Sequence, residues 1–70
     1  MKIEHRGWTV ESAPRQIDQR WHAWAEVERR PHDDVDGHTF HFTDIGHYDS
    51  QQQALERGIV WAVAWLDPNY

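Results

Sequence analysis

Eight consecutive residues near the C-terminus, Ile59 to Leu66, carry no polar side chain, and two of them, Trp61 and Trp65, are tryptophans four residues apart. The residues just before are wet: Gln51, Gln52, Gln53, Glu56 and Arg57. The apolar run is far short of the roughly 20 residues needed to span a bilayer, so it must find cover in protein. Ser50 with Gln53 matches a capping box, in which the hydroxyl accepts from the backbone of the third helical residue and the glutamine reaches back. Pro68 predicts that the helix stops after Asp67. The stretch therefore predicts one C-terminal helix that must be laid on something.

At about 100° per residue, Leu55, Ile59, Ala62 and Leu66 fall in one narrow stripe, the predicted sheet-facing side. Gly58 lies on the edge of that stripe, where a missing side chain lets the backbone approach the sheet. Trp61 and Trp65 stack on one flank with Ala54, Val63 flanks the other edge, and Val60 and Ala64 point away from the core. Each buried tryptophan hides roughly 150–250 Å². Two open ones would make a patch of about 300–500 Å², the upper end for a monomer. Either the indoles fold over the sheet edge and close a small core, or they meet a partner. Val60, Ala64 and an outward Trp24 tip the expectation towards association with a protein partner or with a second copy, and C₂ self-association is the commonest kind. Trp61, Trp65, Trp24, Val60 and Ala64 are thus the candidate interaction residues.

Three extended stretches precede the helix. From Lys2 to Glu11 the apolar phase slips between Ile3 and the pair Trp8 and Val10, and a bulge at Gly7 would restore a common face. From Trp21 to Arg30 the alternation puts Trp21, Ala23, Ala25 and Val27 on the core side, with His22, Trp24, Glu26 and Glu28 on the wet side. From His38 to Asp44, His38, Phe40 and Phe42 share one face and Thr39, His41 and Thr43 the other. Pro14 and Pro31 bound the middle stretch, and "HDDVDG" reads as a turn tightest at Asp36-Gly37. The expected fold is α+β, a three-stranded antiparallel meander with one C-terminal helix packed on one face (β-β-β-α), as a single domain over residues 1–70. Its expected core is Trp8, Val10, Trp21, Ala23, Val27, Phe40, Phe42, Leu55, Ile59, Ala62 and Leu66.

Bulk numbers narrow the function classes. A 70-residue domain buries only about 60 % of the surface its unfolded chain exposes, so its core is thin. With no cysteine there is neither a disulfide framework nor a thiolate site. "MKIEHRGWTV" lacks the apolar stretch of a signal peptide, so a cytoplasmic location is the expectation. The formal charge is −5 and the seven basic residues are scattered, which argues against nucleic acid or an acidic membrane as a primary partner.

Catalytic and metal patterns are weak. His38 and His41 point to opposite strand faces, and His22 with His41 makes a pair at best, short of the three or four converging ligands zinc wants. "HDDVDGHTF" aligned as a calcium loop puts His32 and Thr43 where carboxylates belong. His47, Asp49 and Ser50 lie close in sequence, but Ser50 is taken up as a helix cap. Glu26 and Glu28 read as a charged wet face, and there is no glycine-rich phosphate loop. No catalytic residue, metal or cofactor is expected.

Two resemblances go further. "FTDIGHYDSQQQALERGIVWAVAWLD" is similar to the end of HicB-like antitoxin domains, with a strand, a short Gly-containing loop, and a capped helix with an Ala early and a Trp-Leu pair late. That likeness implies a small protein that inhibits a toxin RNase. Over nearly its whole length the chain also resembles small uncharacterised bacterial proteins with a β-β-β-α core like that of double-stranded-RNA-binding domains. Gly7, Trp8 and Val10 stand for their first strand, Trp21 and Ala23 for their second, and a third strand runs into S-x-x-x-A before the helix. RNA-binding domains of that topology carry a lysine cluster at the start of this helix; here the place holds Gln51, Gln52 and Gln53.

Overall fold

The computed structural model describes residues 1–31 and 36–70. It is α+β, with short antiparallel strands followed by one C-terminal helix, but among the described residues the strands are seven in two sheets rather than three in a meander. The chain runs β1 (Lys2–His5), β2 (Trp8–Ser12), β3 (Arg15–Ile17), β4 (Arg20–His22), β5 (Ala25–Arg29), β6 (His38–Phe42), β7 (His47–Tyr48) and α1 (Gln51–Asn69). A four-stranded sheet has the order β1-β2-β5-β6, and a three-stranded sheet the order β3-β4-β7. β5 and β6 fall within the expected second and third stretches, β2 runs one residue past the first to Ser12, and the three lie side by side in chain order. The expected turn from His32 to Gly37 falls mostly on residues 32–35, outside the described residues.

Two tight hairpins account for β1, β3 and β4, and the short β7 joins β4 from the connection before the helix. Arg6 and Gly7 both have positive φ, 52° and 83°, and His5 pairs with Trp8. Two such residues between paired strands form a type I′ turn, whose twist matches that of the flanking strands. The expected bulge at Gly7 is thus a chain reversal. It still places Ile3 on one face with Trp8 and Val10, because Ile3 sits opposite Val10 across the hairpin. Asp18 and Gln19, at φ 51° and 68°, make the second such turn, between β3 and β4, inside what reads in sequence as a loop.

The long second stretch is broken at Ala23 and Trp24. There the chain leaves the small sheet for the large one, and the N–H of Ala23 donates to the carbonyl of Gly46 while the N–H of Ala13 donates to that of Trp24. Alternation is kept through Ala23, Ala25 and Val27, all buried. Trp21, expected in the core, lies one sheet away, half-buried and opposite Tyr48. Because the small sheet prolongs the large one instead of stacking on it, the molecule is 45 Å long and 17 Å across.

On the helix side of the large sheet, cross-strand partners form an apolar row, Ile3-Val10-Val27-Phe40, beside a second row, Ser12-Ala25-Phe42. The opposite face carries Lys2-Glu11-Glu26-His41 and Glu4-Thr9-Glu28-Thr39. α1 crosses β2 and β5 and buries Ala54, Gly58, Ala62 and Leu66, an i, i+4 line. Leu55 and Ile59, expected on the inner stripe, are only half-buried. The stripe is rotated because Gly58 lies at its centre instead of its edge: a Cβ there would fall on Ser12 Oγ, 3.3 Å from Ser12 Cβ and 3.5 Å from the Trp24 carbonyl. Small residues along the contact line let the helix axis settle low on the sheet.

The helix begins as read. Ser50 is extended, at φ −125°, and accepts from the N–H of Gln53 at 3.1 Å. It does not end at Asp67, since Pro68 is carried inside the last turn. Proline removes one intrahelical donor. Here the turn is completed by Asn69 Nδ2 donating to the Trp65 carbonyl at 2.7 Å and by the Tyr70 N–H donating to that of Leu66 at 2.8 Å.

Candidate interaction surface

Lowering the helix axis onto β2 and β5 throws its tryptophan flank out over β6, the last strand of the large sheet. The two indoles then part company. Trp65 is half-buried in an aromatic nest, its ring centroid 5.1 Å from Phe40, 4.9 Å from Phe42 and 5.9 Å from Tyr70. Trp61 meets Phe42 edge-on at 4.7 Å and stays 38 % exposed. Val60, one residue before it, is 57 % exposed, and Ala64 is exposed as well. The sequence alternatives are therefore divided between the rings: Trp65 closes the core over the sheet edge, and Trp61, Val60 and Ala64 remain as an apolar flank beside an open strand.

Sequence reasoning missed Tyr70 and Arg29. The Tyr70 ring packs 4.9 Å from Trp8, and the Arg29 guanidinium lies over Trp8 at 5.1 Å and over Tyr70 at 5.9 Å. Tyr70 lay beyond the proline taken as the helix end, so nothing local marked it as part of the nest.

Arg6 went unread too. From the first hairpin turn it donates to the carbonyls of Asp67 at 3.3 Å and Tyr70 at 3.0 Å, placing a cation at the helix C-terminus, where the backbone dipole favours one. His5 Nε2 lies 2.7 Å from Asp67 Oδ1 and Arg6 Nη1 lies 3.4 Å from the same oxygen. The hydrogen bond from His5, and then that from Arg6, hold the Asp67 carboxyl below its ordinary range.

Trp24 sits apart from this flank. It is half-buried at the junction of the two sheets, under the Arg15 guanidinium at 4.3 Å from its ring. It helps line a shallow cleft of about 450 Å³ on the outer face, together with Glu11, Glu26 and His41. The polar groups there have partners: Lys2 lies 3.8 Å from Glu11, and His41 lies 3.0 Å from Glu26. Trp24 is thus no extension of the Trp61 surface.

The histidines are dispersed in pairs. His22, expected beside His41, instead meets Asp44 at 2.7 Å in the small sheet, with His47 as its cross-strand neighbour. His47 lies 3.0 Å from Arg20, and Ser50 serves as the helix cap, so the short His47-Asp49-Ser50 run does not assemble. Among the described residues no three His, Asp or Glu side chains gather as a metal-holding group, and no helix is long and apolar enough to cross a membrane. No protein-family model, curated protein or solved structure matches this chain.

Proposed function

We propose that this protein is a non-catalytic interaction module that associates with a second copy of itself through the flank of Trp61, Val60 and Ala64 beside β6. The observation that carries the reading is Trp61. A large indole on the apolar half of the helix is left 38 % exposed next to an open strand, while its neighbour Trp65 is drawn into the core. Exposed tryptophans in apolar surroundings are the residues that dominate interface energies. The opposite face of the sheet, with Glu4, Glu11, Glu26 and Glu28 in two rows, presents carboxylates that repel phosphate, which favours a protein partner over nucleic acid.

About 38 % of a side chain worth roughly 150–250 Å² is about 60–95 Å² of open indole. At about 25 cal/mol per Å², covering it contributes about 2 kcal/mol per copy, so the two indoles of a dimer together contribute about 4 kcal/mol, or about 1000-fold in Kd. Sedimentation equilibrium over a wide concentration range measures this. The wild type should dimerise, Trp61→Ala and Val60→Asp should weaken the dimer by at least tenfold, and Glu56→Ala should leave it unchanged. Val60 is exposed enough for its substitution to spare the fold. A wild-type chain that stays monomeric at millimolar concentration removes the proposal.

A further inference from the structure

Resting on that self-association, we propose its geometry: β6 of one copy pairs antiparallel with β6 of the other, with Phe40 on the two-fold axis, joining two four-stranded sheets into one of eight strands.

The free side of β6 is the first ground. Among the described residues β6 pairs with β5 on one side and with no strand on the other, so a row of backbone donors and acceptors faces outward over five residues. Natural sheets blunt such edges with lysine, glutamate, proline, bulges or short strands. The other edge of this sheet does so: β1 carries Lys2 and Glu4. In the small sheet β3 has three residues and β7 two. β6 reads His-Thr-Phe-His-Phe, with strong strand formers and none of these devices.

Register follows from parity. Directly opposed residues of an antiparallel pair share a face, so the phenylalanines of both copies stay on the helix side only if paired residue numbers add to an even sum. Of the even sums, only 80 pairs all five residues from His38 to Phe42. It sets Phe40 against Phe40, His38 against Phe42, and Thr39 against His41. A sum of 82 would set His41 against its own copy, and 78 would pair only three residues. With the sum of 80 no histidine opposes a histidine, and none of the five paired residues is a carboxylate; Asp36 and Asp44 come opposite each other just beyond the two ends of the pairing. Glu26, one strand in, is paired with His41 at 3.0 Å.

This register also continues the proposed flank. Both helices lie on the same side of the joined sheet. Trp61, already edge-on to Phe42, then stands over His38 of the second copy, a residue exposed in the single chain. One docking event covers the open strand, the open indole and His38 together.

The chain has no cysteine, so introduced thiols report the seam cleanly. Thr39 and His41 are both exposed and tolerate replacement. Opposed residues have Cα atoms about 4.5–5.5 Å apart, within disulfide reach. Thr39 and Thr39 of the second copy are offset by two residues, roughly 8 Å apart and beyond it. Mixing Thr39→Cys with His41→Cys under mild oxidation should yield the mixed disulfide at least tenfold above either homodimeric disulfide. Sedimentation of the unmodified chain is read in parallel. Dimerisation without this preference overturns strand pairing and leaves the Trp61 flank standing. A monomer in sedimentation overturns both.

Discussion

The closest approach between helix and sheet, Gly58 against Ser12, makes a quantitative test of how the C-terminal helix is seated. Ser12 is 1 % exposed, and its hydroxyl is buried with no hydrogen-bond partner. Removing an unsatisfied buried hydroxyl gains back part of a desolvation cost of about 1–3 kcal/mol, so Ser12→Ala should stabilise by about 1 kcal/mol. Gly58→Ala brings two opposed effects. Replacing a mid-helix glycine gains about 1 kcal/mol of helix propensity. The new methyl, however, falls on Ser12 Oγ and sits 3.3 Å from Ser12 Cβ, and overpacking of this kind costs about 1–3 kcal/mol. The single change should therefore destabilise by about 1 kcal/mol. In the double variant the oxygen is gone, the propensity gain survives, and the protein should exceed wild type by about 1–2 kcal/mol. The coupling between the two sites is then about 2 kcal/mol, well above the few tenths that separate independent substitutions. Urea unfolding of the four proteins, followed by tryptophan fluorescence at one protein concentration, measures the cycle. Additive changes, or a Gly58→Ala protein more stable than wild type, would refute the claim that the helix rests on Ser12.

Two further perturbations bear on the hairpin turns and the helix end. Asp67 has a folded-state pKa held below its ordinary value near 3.8, so its pair with His5 contributes stability above that value and loses it as pH falls through the folded one. Asp67→Asn should accordingly flatten the dependence of stability on pH below about pH 4, and an unchanged acid limb in urea titrations at several pH values would discard the clamp. Gln19 holds φ 68° in a two-residue turn, a conformation that disfavours side chains by about 1–2 kcal/mol and suits glycine. Allowing for the added freedom of glycine in the unfolded chain, Gln19→Gly should raise stability by about 0.5–1 kcal/mol in thermal unfolding. A loss would mean that the turn is of another kind.

How much of this was legible depended on the range of the interaction. Ser50 as helix cap, the alternation of Ala23, Ala25 and Val27, and Phe40 and Phe42 on one face are local facts, set by hydrogen bonds or side-chain period within a few residues. The hairpin turns were hidden for a physical reason. Arg6-Gly7 carries half of a turn signal, and Asp18-Gln19 lacks the glycine that usually marks positive φ. Trp21 was misplaced because nothing in an unbroken alternation says that the chain changes sheets at Ala23 and Trp24.

Sequence alone determined that a C-terminal helix exists, that it is amphipathic with surplus aromatic surface, and that strands in antiparallel order precede it, because period, caps and composition act along the chain. Tertiary structure decided which indole is spent on the core and which is left outside. That choice turns on the rotation of the helix about its own axis. The rotation is set by Gly58 seating against Ser12, 46 residues away in sequence, which carries Trp65 into the nest of Phe40, Phe42 and Tyr70 and leaves Trp61 at the rim.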